Sequence, residues 1–270
     1  TWGKFIYFDI FWNEKCQSPE IIDFLCFGLD LSIRDSKTKT GGMNLRNLLR
    51  KNSDRKGFFI VIEGIDGSGK ETQLLGLEAR LREKGFDDIT TYDFPQYEEE
   101  TSQQVKDYLT DKGGKPRNLV EIAQLGNYYS ADRGSVAHQI QEELDHGKII
   151  ISNRYLASNK AFQGARIKNS ILRTMYSWFV NFMEYGFYEL PREDITVFLD
   201  VSVEKAQELI LKKKKREYAG DQLKDKNEQD LELQTNARNI YLKFGHQNPS
   251  WVVVNCMDKK DIMSAKDITG

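Results

Sequence analysis

Phe58-Phe-Ile-Val-Ile-Glu-Gly-Ile-Asp-Gly-Ser-Gly-Lys-Glu-Thr-Gln-Leu-Leu75 is the stretch whose reading decides the fold. Its first five residues, Phe58 to Ile62, are apolar and rich in β-branched types, which reads as a short strand buried in a parallel sheet. The chain then turns through Gly64, Gly67 and Gly69 and enters a helix carrying Leu74, Leu75, Leu77 and Leu81. A glycine-rich turn exposes backbone N–H groups, and the helix N-terminus adds a partial positive charge. Together they form a phosphate cradle, with Lys70 placed to reach the outer phosphates.

Gly64-Ile65-Asp66-Gly67-Ser68-Gly69-Lys70 fits the P-loop pattern G-x-x-x-x-G-K-[ST] in all but its last position. There Glu71 follows the lysine, and the hydroxyl arrives one step later at Thr72. An ordinary glycine-rich turn is the competing reading. The strand–loop–helix context favours nucleotide binding by residues 64–72.

From Phe58 onward strands and helices alternate, which predicts an α/β fold with a parallel sheet of the P-loop NTPase type flanked by helices. Further strands are expected at Ile89–Phe94, Lys148–Ser152, Ile195–Val201 and Trp251–Asn255. Helices are expected at Thr72–Lys84, Ser102–Asp111, Leu119–Asp145, Ile171–Tyr185, from Val203 into the basic run Lys212–Arg216, and near Glu228–Phe244. Ligands of such a sheet gather beyond the carboxyl ends of its strands. That rule singles out residues 64–70, 94–97, 153–162 and the chain after Asp200. Residues 1–57 read as an appendage: two aromatic or apolar patches, then a polar and a basic run, with the first methionine at Met43.

Among the 270 residues, 39 basic side chains nearly cancel 41 acidic ones, so no global field suggests a nucleic-acid polymer as partner. The three cysteines, Cys16, Cys26 and Cys256, show no metal-ligand spacing and fit a reducing, cytoplasmic setting. No apolar run approaches the ~18 residues of a membrane span.

Four separated motifs, Gly64–Thr72, Phe94-Pro-Gln-Tyr97, Tyr129-Ser-Ala-Asp-Arg133 and Asn153-Arg-Tyr-Leu-Ala-Ser-Asn-Lys-Ala-Phe-Gln-Gly164, make the chain resemble the thymidylate kinases from about Phe58 to Asn255. The resemblance implies transfer of a phosphoryl group from MgATP to dTMP, in a homodimer. It gives Asp66 to the acceptor sugar and the metal, and Tyr129 to stacking on thymine. Tyr97 goes to the acceptor phosphate, and Arg133 and Asn159 to the base edge. Phe162 crowds the sugar, and Phe94 and Gln163 complete the acceptor site. Arg154 grips the acceptor phosphate, for which a planar fork of donors at a strand tip is also chemically suited. Lys212–Arg216 matches a mobile basic lid at about residues 212–228. Gly67 stands where some members carry a P-loop arginine, so Arg216 is the expected catalytic cation beside Lys70 and Arg154, with Lys213 to Lys215 in reserve. Two departures stand out: Asn153 replaces the aspartate that usually precedes the arginine, and Glu71 replaces Ser or Thr. Asp66 and Glu71 are therefore the expected metal-side acids, although a first-turn Glu71 also suits the helix dipole. The competing functions are another P-loop nucleoside or nucleotide kinase and a nucleotide-binding module that has lost turnover. The aromatic face around Tyr176–Phe182 is either the dimer surface or core.

Overall fold

The structure is a computed structural model and describes residues 55–109, 114–216, 226–258 and 261–269. The proposed appendage up to residue 54 and the lid residues 217–225 lie outside the described residues. At its centre is β1 (Phe58–Glu63), flanked in parallel by β3 (Ile149–Asn153) and β4 (Ile195–Asp200), with β2 (Ile89–Asp93) and β5 (Trp251–Asn255) outermost. Five parallel strands in the order β2-β3-β1-β4-β5 agree with the expected class. Alternation along β1 sends Ile60 and Ile62 into one face of the core and Phe59 and Val61 into the other.

The helix α1 (Lys70–Glu83) follows the glycine loop and buries Leu74 and Leu81 against the first face. Gly85, at φ +91°, ends it. After β2 come a 3₁₀ turn (Glu100–Ser102) and α2 (Gln103–Leu109). The single long helix expected over Leu119–Asp145 is two: α3 (Leu119–Gly134) and α4 (Ala137–Asp145). The break falls where Gly134 lies under the Tyr188 ring, so close that a Cβ there would sit 2.4 Å from it. Asn118 caps α3 by accepting from the Glu121 N–H at 3.0 Å.

After β3 the segment expected to lie at a strand tip winds into α5 (Leu156–Ala165). Then α6 (Ser170–Asn181) runs into a π-helical turn (Phe182–Phe187). The basic run ends α7 (Val203–Arg216), and the chain returns through α8 (Lys226–Gln229) and α9 (Leu231–Gln247). A small antiparallel pair, β6 (Met257–Asp258) and β7 (Asp261–Ile262), and α10 (Ala265–Thr269) follow β5 and were not expected. Residues just before Phe58 take part in the same packing. Arg55 pairs with Asp194, and the Gly57 N–H donates to the Leu144 carbonyl at 2.7 Å.

Candidate active site

Gly67 (φ +78°) and Gly69 (φ +84°) take left-handed conformations that turn the loop after β1 into α1. A Cβ at Gly67 would stand 2.3 Å from the Ala206 carbonyl oxygen of α7, so the basic helix packs directly on the loop. An arginine could not occupy that position without moving α7. The Lys70 ammonium folds back over the loop, donating to the Ile65 carbonyl at 2.8 Å and lying 3.5 Å from Ser68 Oγ. Burial and the neighbouring Arg154 charge push its pKa down to about 7. Glu71 and Thr72 are exposed on the first turn of α1.

Arg154, just beyond β3, has φ 67°, a conformation uncommon outside glycine. Its N–H donates to the Ile62 carbonyl at 2.9 Å, which anchors the kink. The kink delivers the guanidinium to the glycine loop, where it donates to the Gly64 carbonyl at 3.3 Å, to Ser158 Oγ at 3.1 Å and to Asp66. Its carbon lies 5.2 Å from the Phe162 ring centre. Burial works against its charge, but Asp66 together with Tyr241, Glu63 and Tyr97 outweighs it and holds the guanidinium protonated. The other Asp66 oxygen accepts from Gln234 of α9, whose own carbonyl accepts from the Asp66 N–H at 3.1 Å.

Beneath this cluster lies Glu63, fully buried at the tip of β1. It accepts from the N–H groups of Tyr155 (2.9 Å) and Ser158 (3.1 Å) and from the hydroxyls of Ser158 (2.7 Å) and Tyr241 (2.9 Å). Burial raises its pKa despite these donors. The carboxylate thus ties α5 and α9 to the strand that carries the loop.

A cleft of about 460 Å³, counting its solvent-open mouth, runs away from Arg154. Asp66, Arg154 and Phe162 line it with Phe94, Tyr97 and Tyr129; Arg133, Asn159 and Gln163 line it further in. All nine acceptor-side residues named from sequence therefore face a common space. Of the ATP-side groups, the glycine loop lends Asp66 to the lining while Lys70 is not part of it, and Arg216 is on the last turn of α7 with its side chain outside the described residues.

Phe94 is buried against Tyr92, with stacked rings 6.0 Å apart, and precedes Pro95 through a cis peptide. Asp132 positions the following loop, accepting from the Gln96 N–H at 3.0 Å and from Thr101 Oγ1 at 3.2 Å. Tyr97 is held at the mouth in this way, 47 % exposed.

Deeper in, Arg133 is almost wholly buried and donates from Nε (2.8 Å) and Nη2 (2.5 Å) to the two oxygens of Glu184, on the π-helical turn. Asn159 Nδ2 donates to the Gly126 carbonyl at 2.9 Å and approaches the same carboxylate at 3.1 Å, while its Oδ1 accepts from the Tyr176 hydroxyl at 2.7 Å. Both ends of the Asn159 amide are thus engaged within the protein, whereas Arg133, which also lines the cleft, pairs with Glu184 through Nε and Nη2 and not through Nη1.

Sequence reasoning missed Glu63, Asp132, Ser158, Glu184, Asn227 and Gln234. It also missed an acid at the end of β2. Asp93 is the register partner of Asn153, whose Nδ2 donates to Asp93 Oδ1 at 2.7 Å. The residue immediately precedes the Phe94 motif, so comparing strand tips would have found it.

A family model described as thymidylate kinase matches residues 62–266 of the chain. A probable thymidylate kinase of Thermococcus gammatolerans is 29 % identical over 224 residues, 79 % of this chain and 95 % of that protein. The thymidylate kinase of Halothermothrix orenii is 31 % identical over 182 residues, 65 % of this chain and 77 % of its own length. Among solved structures, a thymidylate kinase from Candida albicans superposes with a TM-score of 0.57 at 22 % identity, covering 80 % of this chain and 88 % of that one; at that identity it speaks for the fold alone.

Proposed function

Because the chain belongs to the thymidylate kinase family, we propose that it transfers the γ-phosphoryl group of ATP to dTMP, giving dTDP and ADP. The observation that carries this reading is the polarity of the cleft. An arginine whose contacts are divided among Asp66, a hydroxyl and a backbone carbonyl sits against the glycine loop at one end, and an arginine fixed through two nitrogens to one fully buried carboxylate sits at the other. The first suits a phosphate that must meet the donor in line; the second suits a neutral base edge.

In this reading Lys70 releases the Ile65 carbonyl to hold the donor phosphates. Arg154 exchanges part of its protein contacts for the acceptor phosphate. Phe94, Tyr129 and Phe162 enclose the nucleoside, Tyr97 reaches the phosphate from the mouth, and Gln163 closes the far side. Phosphoryl transfer asks for positioning and for cations over the equatorial oxygens rather than for covalent chemistry. Arg216, six residues beyond the Ile210 contact with the loop, is about 9 Å further along α7 and would supply a cation as the basic segment closes.

The residues at the strand tips fit Mg²⁺. Asn153 Oδ1 is buried and has no hydrogen-bond partner among the described residues, beside the carboxylate that its amide holds. Oxygen donors suit this cation, which takes few protein ligands and completes its shell from phosphates and water. Asp66 is committed to Arg154 and Gln234, so the metal-side role passes to Asp93 and Asn153, with Glu71 alongside. When bound, Mg²⁺ would neutralise charge on the β- and γ-phosphate oxygens. The enzyme in this reading is a cytoplasmic homodimer, paired through the exposed face of α6, where Trp178 is 69 % exposed. Among the described residues no helix is long and apolar enough to cross a membrane.

The test is a screen of nucleoside monophosphates with ATP. dTMP should exceed AMP and GMP in kcat/KM by tenfold or more, about 1.4 kcal/mol of discrimination. Equal turnover of a purine monophosphate would sink the assignment.

A further inference from the structure

Glu184 is fully buried on the π-helical turn, at the end of a stripe that begins with Tyr176 and Val180 at four-residue spacing. A helix stripe of that kind calls for an apolar residue at position 184. The acid there gathers four donors from two helices, α3 and α5: Arg133 Nε and Nη2, Ser130 Oγ at 2.9 Å and Asn159 Nδ2 at 3.1 Å. A buried ion pair of this type is on average no more stabilising than well-packed apolar side chains, so fold stability alone does not account for it.

The geometry accounts for it differently. Pairing through Nε and Nη2 fixes the plane of the guanidinium and leaves Nη1 outside the pair, in a residue that lines the cleft. Asn159, held by the same carboxylate and by Tyr176, forms the wall beside it. The arrangement depends on a close approach at Gly126 of α3, where a Cβ would stand 2.2 Å from the Tyr176 hydroxyl and 3.0 Å from Asn159 Oδ1. The whole network is therefore built to one geometry, with its net charge cancelled.

We propose that Glu184 is a positioning residue for base recognition. It holds Arg133 as a fixed, charge-neutralised donor, so the cleft accepts a pyrimidine with a carbonyl at its 4-position and refuses one with an amino group. This rests on the dTMP reading above and adds to it the residue that sets selectivity between thymine and cytosine. A carbonyl accepts the Nη1 hydrogen bond; an amino group presents a second donor to it. Cancelling the charge also keeps Arg133 from competing with Arg154 for the substrate phosphate, which fixes the direction in which the nucleotide enters.

The experiment compares the unaltered chain, Glu184→Gln, and the pair Arg133→Met with Glu184→Gln. Readouts are kcat and KM for dTMP and dCMP, KM for ATP, and thermal unfolding. Glu184→Gln should raise the KM for dTMP at least ~10-fold with kcat changed less than ~3-fold, the pattern of lost binding rather than lost chemistry. The dTMP to dCMP ratio of kcat/KM should fall by a similar factor, with the KM for ATP unchanged. The paired variant removes both charges together, so it should recover thermal stability without recovering dTMP affinity or selectivity. A Glu184→Gln chain altered only in unfolding temperature would overturn the proposal. So would a paired variant that regains the dTMP KM, or an unaltered chain indifferent to dTMP and dCMP. Should the unaltered chain bind thymidine without phosphorylating dTMP, the kinase reading falls by itself. The Glu184 comparison then runs on the affinities for thymidine and deoxycytidine, with the same two outcomes.

Discussion

At the loop end of the cleft Arg154 is shared among three separate groups, a backbone carbonyl and a carboxylate of the glycine loop and a serine hydroxyl of α5, and Lys70 rests on a backbone carbonyl. At the inner end Arg133 spends two nitrogens on one carboxylate that is itself closed in by Ser130 and Asn159. The first set of contacts can be exchanged one at a time for phosphate oxygens, which are equally good acceptors. The second is a closed network in which losing any member leaves a buried group unpaired. Chemistry that moves charge calls for cations that change partners, and recognition of a neutral ring calls for a donor that does not. The two ends differ in the way those two tasks require.

The strongest test of the contrast is Arg154→Ala. Removing the fork deprives the acceptor phosphate of its clamp and leaves the half-buried Asp66 without its cation, so kcat/KM for dTMP should fall by ~10³-fold, about 4 kcal/mol. Much of the loss should appear in kcat. If only KM for dTMP rises, Arg154 behaves like the inner end, and the contrast collapses.

A change at the inner end should be gentler and of the other kind. Gly126→Ala places a methyl against the Tyr176 hydroxyl and Asn159, and overpacking of this type costs about 1–3 kcal/mol. Part of that should appear as a rise of roughly 10-fold in KM for dTMP with kcat retained. Steady-state kinetics and thermal unfolding of the variant check both. An unchanged KM would show that the inner network tolerates displacement and is less closed than its hydrogen bonds imply.

The smallest effect probes burial beside the inner end. Lys160, next to Asn159 on α5, donates to Asn181, and burial lowers its pKa from 10.5 to about 8 although Glu193 and Glu184 oppose the shift. Between those values the unfolded chain binds more protons than the folded one, so stability rises with pH across the window. At lower pH both states are charged, and the fold bears the cost of burying the ammonium. Half-burial limits that cost, so Lys160→Met should abolish a pH-dependent gain on the order of 1 kcal/mol. Denaturant unfolding of both chains from pH 8 to pH 10.5 measures it. Parallel stability curves would mean that water reaches Lys160 freely.

The strands were legible because each is a contiguous β-branched run, and the loop because three glycines and a lysine separate such a run from a leucine-spaced helix. The helix α5 was not. Its inward positions include Ser158, Asn159 and Gln163, polar residues that fill buried places only because a network pairs them, so no apolar stripe announces a helix. The division between α3 and α4 was hidden for a related reason: Gly134 is there for the Tyr188 ring, a contact across 54 residues that local spacing cannot register. Glu184 did leave a trace, an acid where Tyr176 and Val180 lead one to expect an apolar residue. The acceptor-side residues were named through the motifs. What local sequence could not convey was which of them are occupied by one another, and this separates Asn159 from Arg133.

The pairing of Asp93 with Asn153 has a consequence for how such a chain can drift. The two side chains meet at the same level of adjacent strands, 2.7 Å apart at their hydrogen-bonded atoms. Aspartate at both positions would press two like charges together; asparagine at both would leave these two strand tips with no anion. Either single replacement is a worse neighbour than the starting pair, and only the exchange of both restores one acid and one amide. The sites should therefore vary in step, and a lineage that has crossed from one arrangement to the other cannot return by a single mutation.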